Sequence, residues 1–318
     1  MEGRIRFIGP LERAIHLRSV RGLESLTVSE IATLAQRAQE RFFRKGDAIF
    51  RPDKPVTALV VMVDGRAELK MEGLPAREFG PADLLGILHV LCDSPEGIDA
   101  TALSDCTTLE IDRESLFEVY EDDFSVLHSA IQEIARRTLD LRRRIPAGTF
   151  LGSAEEPKEL PERLGLVERL LVMLRGVVFR RVNMDAVVEL ARQSSEIRFG
   201  PGMRLWSRGD RSGYVYLLVA GTVTCEVERG RSFRAGPGYP LGNLESMAGM
   251  TRWYTATTES PVLAMRAETG TFLDLLEDNF DMAADYLAAM ATNLLRVLRE
   301  EHTRVSAEEL PVRDPARP

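Results

Sequence analysis

The chain has 318 residues, and 44% of them are hydrophobic, which is enough for two domains with separate cores. Its formal net charge is −8, so the chain lacks the overall positive charge that drives nucleic-acid binding. Nucleic acids are therefore disfavoured as partners. The cysteines show neither metal-ligand spacing nor a disulfide framework. The first residues lack the apolar core of a signal peptide, and the longest purely apolar run, Ala58–Val63, is too short to span a membrane. We predict a cytoplasmic protein without a membrane span.

Helical patterns flank the first half of the chain. Apolar residues recur at helical spacing over residues 11–40, where Thr27 or Ser29 is placed to cap the second helix. Residues 114–145 show a helical pattern again.

Between these helices, residues 42–112 form short strand-like runs separated by turn signals. The dipeptide Asp64-Gly65 lies between the apolar run 58–63 and the alternating run 67–71. An Asp-Gly pair between two such runs predicts a β-hairpin. Several short strands at regular spacing predict a β-barrel or β-roll.

The two halves of the chain align at a shift of 156 positions, the offset between Glu40 and Glu196. Glycines recur at this offset together with the apolar residues around them. The matched pairs include Phe43 and Phe199, Gly46 and Gly202, Gly65 and Gly221, and Gly86 and Gly242. A glycine often marks a position where the backbone has a conformation, or a close contact, that other residues do not allow. Glycines at the same spacing therefore indicate two copies of one domain.

The second copy repeats the order of the first. Helical patterns at 166–179, 184–193 and 271–301 flank a β-rich stretch at 197–265.

The segment between the copies is rich in Pro, Gly and acidic residues, and the C-terminal residues are polar. We therefore predict a first domain at 1–145, a linker at 146–162, a second domain at 163–302 and a disordered tail at 303–318.

Three motifs resemble the cyclic nucleotide-binding domain family, the β-rolls of the catabolite activator protein and of protein kinase A regulatory subunits. They are Phe43-Arg44-Lys45-Gly46-Asp47, the hydrophobic-Gly turn Val63-Asp64-Gly65, and the run from Gly80-Pro81 to Leu85-Gly86. The resemblance implies an α+β fold of two tandem cyclic nucleotide-binding-like β-rolls of the jelly-roll type, each flanked by helices.

The second copy also resembles the phosphate-binding cassette of this family. The cassette reads Gly-Glu-Leu, a short helix, then Arg; its Glu accepts a hydrogen bond from the ribose 2′-hydroxyl, and its Arg pairs with the cyclic phosphate. Here Gly242, Asn243 and Leu244 stand at Gly-Glu-Leu, Arg252 stands at the Arg, and Thr255 can offer a hydroxyl. Asn243 accepts hydrogen bonds only as a neutral group. The resemblance implies a site for cAMP or cGMP at these five residues, and no cofactor is predicted.

Other residues near this cassette allow alternatives. Trp253 and Tyr254 either stack on a purine or fill the pocket, and Arg252 either binds phosphate or forms a surface or interface salt bridge. Glu245 lies two residues after Asn243, where a helical turn is expected to point its side chain elsewhere.

The first copy carries a degenerate version of the cassette. Gly86 is kept, but Ile87 stands at the Glu position and cannot accept a hydrogen bond, and Glu96 stands at the Arg position. A carboxylate repels phosphate, and losing a buried charged pair costs roughly 2–5 kcal/mol. We predict that this pocket binds no nucleotide.

The last long helix has a heptad-like apolar seam over Phe280–Val297. This seam predicts either packing on its own β-roll or a homodimer. A cluster of arginines, Arg136, Arg137 and Arg142–Arg144, lies near the end of the preceding long helix, where the helix dipole favours cations.

No phosphate-binding loop, His-Glu-x-x-His motif, zinc-type Cys pair or nucleophile elbow is present, so we predict no enzyme activity. The leading hypothesis is a regulatory protein whose second domain senses a cyclic nucleotide and signals to a protein partner by helix movement. The alternative is an interaction scaffold with two pockets that bind nothing. The weakest alternative is a DNA-binding regulator that uses the arginine-rich helix.

Overall fold

The computed structural model describes residues 8–20, 23, 26–92, 94, 97–144, 149–150, 163–175, 184–228 and 231–309. The chain divides into two compact units, Met1–Ala130 with Ala291–Pro318, and Ile131–Met290. The unit boundaries fall within two long helices, so the domain limits drawn from the sequence stay a prediction.

The first copy contains five helices and eight strands among its described residues. Its helices are α1 (Pro10–Arg18), α2 (Val28–Arg37), α3 (Ile87–Cys92), α4 (Arg113–Asp122) and α5 (Phe124–Arg144). Its strands are β1 (Gln39–Phe43), β2 (Ala48–Phe50), β3 (Ala58–Asp64), β4 (Ala67–Lys70), β5 (Arg77–Phe79), β6 (Leu84–Leu85), β7 (Asp99–Ala102) and β8 (Cys106–Asp112).

The second copy repeats these elements. A short strand, β9 (Thr149–Phe150), precedes it. Its helices are α6 (Leu166–Arg175), α7 (Met184–Gln193), α8 (Asn243–Met247), α9 (Thr269–Asp278) and α10 (Phe280–Glu309). Its strands are β10 (Ser195–Phe199), β11 (Arg204–Trp206), β12 (Tyr214–Ala220), β13 (Val223–Glu226), β14 (Ser232–Ala235), β15 (Pro240–Leu241), β16 (Thr255–Thr258) and β17 (Val262–Glu268).

The two copies have the same strand order. The first has sheets β1-β8-β3-β6 and β2-β7-β4-β5, and the second has β10-β17-β12-β15 and β11-β16-β13-β14 at equivalent places. β9 adds to the last of these by parallel pairing with β14. In the second copy both sheets contribute to one buried core. The predicted α+β fold with two β-rolls flanked by helices is therefore confirmed.

The predicted hairpin at Asp64-Gly65 is wrong. β3 pairs with β6 and β8, whereas β4 pairs with β5 and β7, so the chain passes from one sheet to the other at this turn. Gly65 has a φ of +91°, and a Cβ there would overlap the Asp105 carbonyl oxygen. The backbone that leads into β8 lies against this turn, so glycine is needed there.

An arginine brace at the start of each copy was not recognised from the sequence. Arg13 of α1 donates to the carbonyl of Ala38, just after α2, with an N···O distance of 2.8 Å. Arg169 of α6 donates in the same way to the carbonyl of Ser194, just after α7, also at 2.8 Å. Because these pairs match at the same offset as the glycines, the duplication extends to individual hydrogen bonds.

Thr27 caps α2. Its hydroxyl accepts a hydrogen bond from the Glu30 amide, and the Glu30 carboxylate accepts one from the Thr27 amide, which completes a capping box. The choice between Thr27 and Ser29 left open by the sequence is thereby settled.

Thr27→Ala is expected to lower the free energy of unfolding of the first copy by about 1 kcal/mol, because two helix-end amide interactions depend on this cap. Ser29→Ala is the control and is expected to change it by less than about 0.5 kcal/mol. Thermal unfolding followed by circular dichroism measures both. Equal effects of the two substitutions would contradict the capping role.

Several predictions from the sequence fall on residues outside the described ranges. Residues 176–179 of the predicted helix and most of the 146–162 linker lie there.

α10 continues to Glu309, past the point where the sequence predicts the tail to begin. Among the described residues, no helix combines the length and hydropathy that a membrane crossing needs.

Candidate functional site

The glycine that opens each cassette has a left-handed backbone. Gly86 has a φ of +81° and Gly242 a φ of +86°, a region that favours glycine. A Cβ on Gly86 would lie 2.9 Å from the Phe50 ring, and one on Gly242 would overlap the Arg252 guanidinium. Both glycines are therefore needed for the close approach of a side chain, but the approaching side chain differs.

Arg252 lies inside the second β-roll and is only 1% exposed. Its Nη1 donates to the Gly242 carbonyl at 2.9 Å, and its Nη2 donates to the Tyr214 carbonyl at 2.5 Å. The guanidinium carbon Cζ of Arg252 lies 4.1 Å from the centre of the Trp206 ring, a cation–π contact. Arg252 is thus an interior group rather than the surface salt bridge considered from the sequence.

Glu245 supplies the negative charge beside this arginine. It is 2% exposed, and its Oε1 lies 3.5 Å from Arg252 Nη1. Burial raises the pKa of the Glu245 carboxyl, while Arg252 and a hydrogen bond from the Tyr254 hydroxyl act in the opposite direction. The expectation that the Glu245 side chain points elsewhere is wrong. α8 is a single short turn that begins at the left-handed Gly242, and it directs this side chain inward.

The interior of the second β-roll is filled with aromatic rings. Tyr254 is buried, with its ring centre 5.7 Å from that of Trp206 and 5.0 Å from that of Phe233. Trp253 is half-buried and stacks on Phe233 at 5.7 Å. Of the two alternatives for these residues, the structure places Tyr254 in the interior and Trp253 at its margin.

The remaining predicted site residues point to different places. Asn243 accepts a hydrogen bond through its Oδ1 from the Tyr286 hydroxyl of α10, at 3.0 Å. Leu244 is half-buried in α8. The Thr255 hydroxyl accepts a hydrogen bond from the Arg208 amide at 3.1 Å, away from the buried face of β16. The structure therefore brings Gly242 and Arg252 together, and directs the Asn243 and Thr255 side chains elsewhere.

Trp206, Tyr214, Glu245 and Tyr286 complete this arrangement, and none of them was predicted as a site residue. One signal was present for Trp206, because it aligns with Phe50, which contacts the equivalent glycine of the first copy. Nothing in the spacing of Tyr286 indicated its contact with the cassette.

The first cassette contains no comparable arginine among its described residues. Ile87 is half-buried at the start of α3, and Glu96 lies outside the described residues. His89, which aligns with Glu245, is buried. Gly86 faces the Phe50 ring, whereas Gly242 faces the guanidinium of Arg252.

The helical surfaces considered from the sequence have partners within the chain. The seam residues Ala283, Leu287, Met290, Leu294 and Val297 are buried. A homodimer through α10 stays a prediction that needs another face of the helix. In α5, Arg137 pairs with Glu133 at 2.6 Å, so part of the arginine cluster is neutralised one turn away. Among the described residues, no group of His, Cys, Asp and Glu side chains fits a metal ion.

Residues 40–123 match the family model described as the cyclic nucleotide-binding domain. A curated relative, the CRP-like cAMP-activated global transcriptional regulator of Mycobacterium tuberculosis, is 25% identical over 114 residues. This match covers 34% of this chain and 51% of the relative, so the chain spans about half the length of the curated relatives it matches. The resemblance to cyclic nucleotide-binding domains that the sequence predicts is confirmed.

Two solved structures are similar to the chain at low overall likeness. A regulatory subunit of a cAMP-independent protein kinase A from Trypanosoma brucei has 16% identity and a TM-score of 0.35, covering 86% of this chain and 89% of its own. The N-terminal domain of a transcriptional regulator from Streptomyces coelicolor has 24% identity and a TM-score of 0.36, covering 39% of this chain and 93% of its own.

Proposed function

Because residues 40–123 match the cyclic nucleotide-binding domain model and the second copy has the same strand order, we propose that the protein is a non-catalytic regulator and that its second domain senses a cyclic nucleotide. Its output is a movement of the helices after the second β-roll, read by a protein partner. A cytoplasmic location is part of this proposal, and the cysteine spacing supports it because it is not that of a disulfide framework.

The observation that carries the proposal is the hydrogen bond between Asn243 and Tyr286. Asn243 is the first residue of α8 in the cassette, and Tyr286 belongs to α10. Tyr286 also meets Phe272 of α9 edge-on, with ring centres 5.1 Å apart. A displacement of the cassette therefore acts directly on both helices.

A small cavity beside this bond leaves space for such a movement. It has a volume of about 90 Å³ and is lined by Asn243, Phe272, Tyr286 and apolar residues of the outer sheet face, among them Leu217 and Met265. Close-packed interiors resist side-chain shifts, whereas a void next to Tyr286 permits a new arrangement of its ring. A ligand shifts such an equilibrium only if it binds one arrangement better.

The chemistry of the input follows from Arg252. A guanidinium recognises a phosphate group through two parallel hydrogen bonds, and a cyclic phosphodiester carries one negative charge for it. In the structure Arg252 Nη1 donates to the Gly242 carbonyl and Nη2 donates to the Tyr214 carbonyl, so a nucleotide that takes both nitrogens has to replace these partners and open the aromatic interior.

Calorimetric titration of the full chain with cAMP and with cGMP tests the proposal. We expect binding of one of them, and we expect it to be lost in Arg252→Lys, which keeps the charge but not the bidentate geometry. Absence of heat and of a thermal shift at millimolar nucleotide would end the sensor proposal.

Tyr286→Phe is expected to lower the free energy of unfolding by about 0.5–1.5 kcal/mol, because it removes one hydrogen bond and little else. Its larger effect concerns signalling. Nucleotide is expected to slow amide exchange in α10 of the wild-type chain and to leave α10 unchanged in the variant.

A double-mutant cycle is the control, in which Asn243→Ala, Tyr286→Phe and the double variant are compared with the wild type. The cycle separates the interaction between Asn243 and Tyr286 from the other contacts of either side chain. Equal exchange responses in the wild type and in Tyr286→Phe would contradict the proposed route.

A second candidate function is an interaction scaffold that binds no nucleotide. The position of the Tyr254 ring favours it, because this ring occupies the interior of the β-roll. The same titration separates the candidates, since a scaffold shows no heat with either nucleotide although its second domain is folded.

A further inference from the structure

Glu245 is a buried acid that lies next to Arg252, the residue proposed to bind the phosphate. A buried carboxylate costs several kcal/mol of desolvation unless a partner compensates it, and here Arg252 and the Tyr254 hydroxyl offset part of that cost, while burial still raises the pKa of the Glu245 carboxyl. The arginine that a phosphate needs is therefore already neutralised by the chain itself.

An arriving phosphodiester and Glu245 are both negative and need the same guanidinium. Two like charges beside one cation in an enclosed site repel each other, so one of them has to leave. For a phosphate to bind Arg252, either the Glu245 side chain turns away or its carboxyl takes up a proton.

Some buried polar atoms of this ion pair and its surroundings lack hydrogen-bond partners. Among the described residues, Trp206 Nε1 and Arg252 Nε are buried without a hydrogen-bond partner in the chain, and Glu245 Oε1 has only the ion-pair contact with Arg252 Nη1 at 3.5 Å. A buried polar atom without a partner costs about 1–3 kcal/mol. The closed arrangement is therefore less stable than a fully hydrogen-bonded one, which favours an exchange of partners when a ligand brings new acceptors and donors.

We propose that Glu245 is an internal competitor for Arg252, which holds the second cassette closed and sets its affinity for phosphate-bearing ligands. This inference rests on the proposed function, in which a cyclic nucleotide binds at Arg252. It assigns a regulatory role to a residue at neither of the cassette positions where the family places its Glu and Arg.

Glu245→Gln tests the inference, because it keeps the shape of the side chain and removes its charge. Calorimetry with cAMP and cGMP on the full chain is expected to show at least about tenfold tighter binding than in the wild type. Glu226→Gln, an exposed change of the same kind in the same β-roll, is the control and is expected to leave affinity unchanged. Arg252→Lys is expected to abolish binding in both backgrounds.

The outcomes separate the two claims. Tighter binding in Glu245→Gln than in the wild type supports the inference. Equal affinity in Glu245→Gln and in the wild type, with binding still lost in Arg252→Lys, would overturn the inference and leave the proposed function standing. No binding by either protein would overturn the proposed function itself.

Tryptophan fluorescence shows whether each variant is folded, since both tryptophans, Trp206 and Trp253, lie in the second β-roll. If Glu245→Gln fails to fold, Glu245→Asp replaces it, because this change keeps the charge and draws it back from Arg252. Binding by Glu245→Asp that is no tighter than in the wild type would then overturn the inference.

Discussion

Replacing Arg252 with alanine is expected to lower the free energy of unfolding of the second β-roll by about 3–5 kcal/mol, the cost of breaking a buried charged pair from one side. Three losses combine in this variant. Glu245 keeps a buried charge without its counter-ion, the carbonyls of Gly242 and Tyr214 lose their donor, and the ring of Trp206 loses its cation.

Urea unfolding followed by tryptophan fluorescence measures this effect on the second β-roll alone, because the first contains no tryptophan. Arg234→Ala is the matched control. Arg234 pairs with Glu259 on an exposed face, and such pairs contribute less than about 1 kcal/mol. The double variant Arg252→Met with Glu245→Leu is expected to recover much of the loss, since it removes both charges. A midpoint for Arg252→Ala equal to that of Arg234→Ala would show that the pair is not a stabilising element.

Gly242→Ala is the second substitution with a large expected effect, about 2–5 kcal/mol. The left-handed backbone costs an alanine roughly 1–2 kcal/mol, and overpacking against Arg252 adds about 1–3 kcal/mol. The added methyl group overlaps the guanidinium, so this variant is also expected to displace Arg252 from its carbonyl partners.

Gly202→Ala separates the two causes. Gly202 has a φ of +73° in the same β-roll, but a Cβ there meets no atom within 4 Å. The same unfolding measurement on both variants gives the backbone cost from Gly202→Ala and the overlap from the difference. If the two variants unfold at the same urea concentration, the close approach of Arg252 to Gly242 has no energetic weight.

Much of the fold follows from local patterns in the sequence. The shared glycines indicated the duplication because each needs the same backbone conformation in both copies, as Gly86 and Gly242 do. The bounds of α7, Met184–Gln193, match the apolar period of that segment, since a helix packed against neighbouring elements buries one face. Each of these features is set by the conformation of one residue or by residues close to it in the sequence. One sequence is therefore enough to predict them.

The features that local patterns missed depend on distant partners. An Asp-Gly pair specifies a reversal of the chain, but not which strand lies beside the next one, so Asp64-Gly65 indicated a hairpin where the chain changes sheets. The orientation of Glu245 depends on a cation seven residues later and on the Tyr254 hydroxyl. The contact of Tyr286 with Asn243 joins residues 43 positions apart.

The two cassette glycines have different neighbours, so the first copy can serve as an internal control for the second. Gly86 meets the ring of Phe50, whereas Gly242 meets a guanidinium that lies on Trp206, the residue equivalent to Phe50. One backbone architecture thus occurs twice in a single molecule, at this point once with a charge inside it and once without. A response to nucleotide or substitution that both halves share reflects the architecture, and a response confined to the second half reflects the charge.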